Sequence, residues 1–189
     1  MGHILAFAGS NRKDSFNRKL LAVAAAGAEK AGAKVTLVHL ADYPMPMFDE
    51  DAEAEEGLPK PAQAFRDLMH AADGFLIASP EYNSSFSPLL KNVIDWASRP
   101  RVGEAPLACF KGKVAGLLAA SPGYFGGYRG LQQVRYVLGN IGTIVLPDMF
   151  SLPQAHEAFN ADGSMKDDKK AAAAAAIGAG LAQFLAQKR

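Results

Sequence analysis

Three short stretches carry side chains with chemistry to offer. Gly9-Ser10-Asn11-Arg12-Lys13-Asp14-Ser15-Phe16-Asn17 puts hydroxyls, amides and a guanidinium directly after the apolar run Ile4 to Ala8. Ser79-Pro80-Glu81-Tyr82-Asn83-Ser84-Ser85 follows a second apolar run, Gly74 to Ala78, and leads to the helix-start pair Ser87-Pro88. Ser121-Pro122-Gly123, with Gly126-Gly127 beyond, follows a third. The first stretch meets a helix N-terminus, where unpaired N–H groups and the helix dipole attract an anion. Ser10, Ser15 and Asn17 add short donors, and Arg12 adds a charged fork suited to phosphate. Two commoner phosphate cradles are excluded, since neither G-x-G-x-x-G nor G-x-x-x-x-G-K-[ST] occurs. What remains is a site for a phosphate monoester. The second stretch is longer than an ordinary βα connection, and it can aim backbone N–H groups and the Tyr82 ring at one flat, polar-edged molecule. The plainer alternatives are a simple Ser15 helix cap beside solvated Arg12 and Lys13, and an ordinary βα loop.

Alternating strands and helices must position these stretches. Helical spacing marks Ser15 to Ala31, Pro61 to Ala72, Ser87 to Arg99, Tyr128 to Asn140 and the alanine-rich Asp167 to Gln187. Apolar runs mark strands at Ile4 to Ala8, Lys34 to Leu40, Asp73 to Ala78, Lys113 to Ala120 and Thr143 to Leu146. This alternation predicts an α/β fold: a doubly wound, five-stranded parallel sheet of order 2-1-3-4-5 with helices on both faces, in a single domain over residues 1–189. The switch point then lies between the first and third strands, so the loops after Ala8 and Ala78 lie side by side. Ligands bind at that edge of such sheets. Between residues 41 and 60 the pattern dissolves into prolines, methionines and acids. That suits a lid, a partner surface or a solvated excursion.

Composition narrows the function further. A formal net charge of +1 implies no basic face for nucleic acid. No apolar stretch is long enough to span a membrane, and no leader-like segment opens the sequence, so a cytoplasmic location is expected. The single cysteine, Cys109, excludes an internal disulfide. His3, His39, His70 and His156 have no ligand spacing among them, so no metal site is expected. Two other classes match parts of the pattern. An electron carrier of the same architecture is one, but carriers tend to be acidic. A serine hydrolase is the other, from Ser121, Asp148 and His156 in chain order, although Pro122-Gly123 is a poor nucleophile elbow.

Gly9 to Asn17, together with Ser79 to Asn83, Lys91-Asn92-Val93-Ile94-Asp95-Trp96 and Ser98-Arg99-Pro100, resembles the NAD(P)H-dependent FMN reductase family. This family has a flavodoxin-like fold and includes chromate, quinone and azo-dye reductases. The resemblance implies FMN as cofactor, NADPH or NADH as co-substrate, and a small-molecule acceptor. It implies that Ser10, Arg12, Ser15, Phe16 and Asn17 hold the FMN phosphate. Pro80, Glu81, Tyr82, Asn83 and Ser84 then line the isoalloxazine, largely through backbone groups, and Ser121 and Gly123 close the third side. Ser84 stands where many relatives have glycine. Arg101 is expected near the rim, against the phosphate of NADPH or an anionic acceptor, with a solvated arginine as the alternative. No side chain is required as acid or base. By resemblance alone, a homodimer or homotetramer is expected.

Overall fold

Burial along the strands decides the sheet. The computed structural model describes residues 1–188. Strands β1 (His3–Ala8), β3 (Gly74–Ala78) and β6 (Val114–Ala120) are buried almost end to end, as central parallel strands covered on both sides must be. Strands β2 (Lys34–Val38) and β7 (Ile144–Leu152) are largely exposed or half-buried. They form the two edges. The sheet order is β2-β1-β3-β6-β7 with every pairing parallel. Setting aside a small hairpin, β4 (Glu81–Tyr82) with β5 (Ser85–Phe86), this is the expected 2-1-3-4-5 arrangement.

Alternate residues of the same strands enter two separate hydrophobic clusters. Ile4, Ala6 and Ala8 join residues of α1 (Phe16–Lys30) and α6 (Asp168–Gln187). Leu5 and Phe7 join residues of α3 (Lys60–Ala71), α4 (Pro88–Ser98) and α5 (Tyr128–Asn140). The alanine-rich composition of α6 has a packing reason. A Cβ on Gly178 would fall 1.9 Å from the Ala24 carbonyl oxygen, and one on Gly27 would fall 2.2 Å from that of Ala175. Helices α1 and α6 therefore touch backbone to backbone, which only small residues permit.

Two sequence boundaries move. The last sheet strand runs to Leu152 rather than stopping at Leu146, because Pro147 sits at a register shift on an edge strand, where its missing N–H costs no ladder bond. The acidic excursion contains a short exposed helix, α2 (Glu50–Glu56), and is strapped across α4. Pro46 O accepts from both Asn92 Nδ2 and Trp96 Nε1 at 2.8 Å, and Glu53 pairs with Arg99 at 2.7 Å. Among the described residues, no helix is long and apolar enough to cross a membrane.

Candidate active site

The loops after β1, β3 and β6 leave the sheet at the same edge. Their first residues continue the parallel ladder: Gly9 N–H donates to Ala78 O at 2.9 Å, Ser79 N–H to Leu118 O at 2.9 Å, and Ser121 N–H to Leu152 O at 3.1 Å. Beyond that point they are tied pairwise by side chains. Ser87 Oγ donates to Gly9 O at 2.7 Å while accepting the Leu90 N–H, so one hydroxyl caps α4 and holds the first loop. Asn17 spans the first and third loops, its Nδ2 donating to Ala120 O and its Oδ1 accepting from Ala120 N, both at 2.9 Å. Glu81 joins the second and third. Its Oε2 accepts the Gly130 N–H at 3.0 Å, and its Oε1 accepts from Arg129 Nε at 3.1 Å.

Between these loops lies a cleft of about 80 Å³, open to solvent. Ser10, Arg12, Ser15, Phe16, Asn17, Pro80, Glu81, Tyr82 and Ser121 line it, joined by Ala120 and Pro122, which the sequence reading did not single out. Asn83, Ser84 and Gly123 do not line it. Asn83 and Ser84 form the two-residue tip of the β4–β5 hairpin, at φ of 52° and 66°. Both therefore occupy left-handed backbone, as a type I′ hairpin turn requires. Gly123 sits on the rim, its N–H donating to Ser121 Oγ at 3.2 Å.

The phosphate end has the donors that a monoester requires. Ser15 is the N-cap of α1 and its oxygen accepts the Arg18 N–H, which leaves its own O–H free to donate. The first turn of α1 contains no acid, and the Phe16 and Asn17 N–H groups have no intrahelical acceptor. Ser10 is buried, and its hydroxyl has no partner among the described residues. Arg12 is exposed, with its guanidinium carbon 5.5 Å from the Phe16 ring centroid; that ring in turn stacks on Phe159. This donor set, without a competing carboxylate on the helix end, fits the phosphate of FMN.

Asn17 is the exception among the phosphate residues. Its amide is spent on Ala120, so only its backbone N–H faces a ligand. Likewise the Glu81 carboxylate serves α5 and Arg129, not a flavin edge. Arg101 is not brought to the cleft. It follows the far end of α4, about 16 Å along the helix from Ser87. There it donates to Asp67 Oδ1 at 2.5 Å and to Gln63 O at 3.0 Å on α3. The hydrolase arrangement is not assembled either, because His156 pairs with Glu157 at 3.5 Å rather than with Ser121. A larger hollow, of about 350 Å³, lies at the opposite edge beside Asp73, Lys111, Lys113 and Lys188. Lys113 and Lys188 there already cap carbonyls of Ala72 and Gly112 and offer no cradle.

The comparisons with known proteins agree with this geometry. The family described as NADPH-dependent FMN reductase matches residues 3–157. The chain belongs to that family. It is 37% identical over 168 residues to an NAD(P)H-dependent FMN reductase of Pseudomonas aeruginosa, covering 88% of this chain and 85% of that protein. It is 31% identical to an NADPH:quinone oxidoreductase of Arabidopsis thaliana, with 87% and 82% covered. Among solved structures it resembles FerB, a flavoenzyme NAD(P)H:(acceptor) oxidoreductase of Paracoccus denitrificans, with a TM-score of 0.81, 30% identity, and 99% and 98% of the two chains covered. An archaeal flavodoxin, at a TM-score of 0.66 and 11% identity, shares the fold.

Proposed function

We propose that this chain is an oxidoreductase that passes electrons from NADPH or NADH through bound FMN to a small acceptor such as a quinone, a flavin, an azo compound or a metal oxyanion like chromate. One observation carries the reading. A helix first turn free of acids, the unpartnered Ser10 hydroxyl and an exposed arginine meet Glu81 and Tyr82 of the hairpin and the start of the third loop around one cleft. When bound, FMN supplies the hydride-accepting and electron-donating chemistry. The chain's own part is binding and orientation. The N–H groups of Phe16 and Asn17 with Ser10, Ser15 and Arg12 hold the phosphate, and the backbone of Pro80 to Tyr82 with Ser121 frames the ring, with Asn83, Ser84 and Gly123 outside the cleft lining.

We also infer a single domain over 1–189 with helices covering both sheet faces, which the two alternating clusters support. A homodimer or homotetramer is consistent with the exposed rings Tyr124, Tyr128 and Tyr136. A cytoplasmic location suits a single, buried thiol. The test is turnover. The purified yellow protein mixed with NADPH and a quinone in air should consume NADPH catalytically and lose it as a function of quinone concentration. A protein that binds FMN yet leaves NADPH untouched is an electron carrier, and the proposal fails.

A further inference from the structure

With Arg101 committed to α3, the structure offers another cation at the cleft. Arg129 is the second residue of α5. Its Nε and Nη2 both contact Glu81 Oε1, at 3.1 and 2.9 Å, and its Nη1 has no partner among the described residues. Its guanidinium carbon lies 4.9 Å from the centroid of the Phe125 ring, and its side chain is 55% exposed. Glu81 lines the cleft, so Arg129 is one ion pair removed from the cleft lining.

The local charge balance favours an anion there. The N-cap of α5 is Gly127, which has no side chain to satisfy the first turn. Glu81 does so from the neighbouring hairpin, taking the Gly130 N–H at 3.0 Å. Its single negative charge is therefore shared between a full guanidinium charge and a helix end worth about half a positive charge. The group is left with a net positive balance, directed to solvent through Arg129. The Phe125 ring packs against the guanidinium and leaves the rest of it open to solvent, where a charged ligand can reach it.

We propose that Arg129 is a specificity-determining residue that binds a phosphate of the dinucleotide hydride donor, with Glu81 orienting its planar fork. The assignment rests on the oxidoreductase reading above. A fork suits phosphate because it can donate two parallel charge-assisted bonds. One pair of donors on Arg129 faces Glu81, and the other is free.

The experiment compares FMN-loaded wild type with Arg129→Gln and Arg129→Lys. Three donors are used: NADPH, NADH and N-benzyl-1,4-dihydronicotinamide, which carries no phosphate. Calorimetric binding of NADP⁺ gives a readout independent of turnover. Arg129→Gln should raise the NADPH KM and the NADP⁺ Kd by about tenfold or more, the scale of one lost charge-assisted contact. It should lower kcat/KM for NADPH far more than for the uncharged donor, and flatten the salt dependence of the NADPH KM. Arg129→Lys should recover part of the loss. An equal rise for NADH assigns the contact to the pyrophosphate, and a rise confined to NADPH assigns it to the 2′-phosphate. Equal losses with the phosphate-free donor, or no loss with either dinucleotide, would overturn the role of Arg129. Wild type that oxidises none of the donors contradicts the oxidoreductase reading itself.

Discussion

Asn17 and Ala120 lie 103 residues apart in sequence, and the amide of one closes both backbone groups of the other through two 2.9 Å hydrogen bonds. This pair fixes the start of α1 against the end of β6. It makes the phosphate end and the third loop of the cleft one rigid piece. Asn17→Ala would leave a buried N–H and a buried C=O unsatisfied, a cost of about 2–3 kcal/mol. Urea unfolding should show that loss, and FMN affinity should fall with it. Asn17→Asp should do no better, since a carboxylate can accept from Ala120 N but cannot donate to Ala120 O.

Ser84 supports a second prediction. At φ 66° a serine is held in backbone that glycine occupies without strain, at a cost of about 1 kcal/mol. Ser84→Gly should be neutral or slightly stabilising in thermal unfolding and should leave FMN bound. Ser84→Val should destabilise the hairpin, because a β-branched residue tolerates left-handed backbone worst. Equal behaviour of the two variants would mean that the turn is not a constraint.

Glu104, in the segment between α4 and β6, ties that segment to α3. Glu104 accepts from Arg66 and from the Arg101 N–H at 3.0 Å, and lies 2.8 Å from His70 Nε2. Burial alone would push its pKa up, but the Arg101 N–H and the positive charges of Arg66, His70 and Arg101 hold it below the ordinary glutamate value. A depressed acid stabilises the fold fully above its unfolded value, near 4.3, and the contribution is lost as pH falls through the lower folded value. Unfolding followed from pH 7 to pH 3 should show a decline beginning below about pH 4.5 that is smaller in Glu104→Gln. Identical acid profiles would contradict the assignment.

Cys109 should be chemically silent. Burial pushes its thiol up to about 11, with Glu104 adding to the shift and Arg66, Arg101 and Lys113 opposing it. The thiolate is the reactive form. A disulfide reagent at pH 8 should therefore modify the native protein far more slowly than the protein in denaturant. Immediate stoichiometric labelling of the native state would contradict the burial of this residue.

The sheet was legible because fully buried parallel strands read as short apolar runs, and Ile4 to Ala8, Gly74 to Ala78 and Val114 to Ala120 are such runs. The hairpin from Glu81 to Phe86 was not, since strands of two residues carry no periodicity. The switch-point rule set the loops after Ala8 and Ala78 side by side, as the β1–β3 pairing has them, but the division of labour within the cleft was not legible. Nothing local says that the Asn17 amide finds Ala120, or that Glu81 caps a helix that begins 47 residues later. Gly127 was the available hint: a helix start without a capping side chain needs a donor-satisfying acid from elsewhere. Arg101 was misplaced for a related reason. Its proximity in sequence to the second loop ignores the full length of α4 between them.

The central claim is that the three loops hold FMN by its phosphate and its ring. Titrating FMN into the flavin-free protein, with riboflavin as the control lacking phosphate, tests it most directly. The account predicts saturable, one-to-one binding of FMN with quenched flavin fluorescence. It also predicts at least tenfold weaker binding of riboflavin, and loss of that preference in an Arg12→Ala, Ser10→Ala double variant. No binding of FMN, or equal affinity for riboflavin, would contradict it.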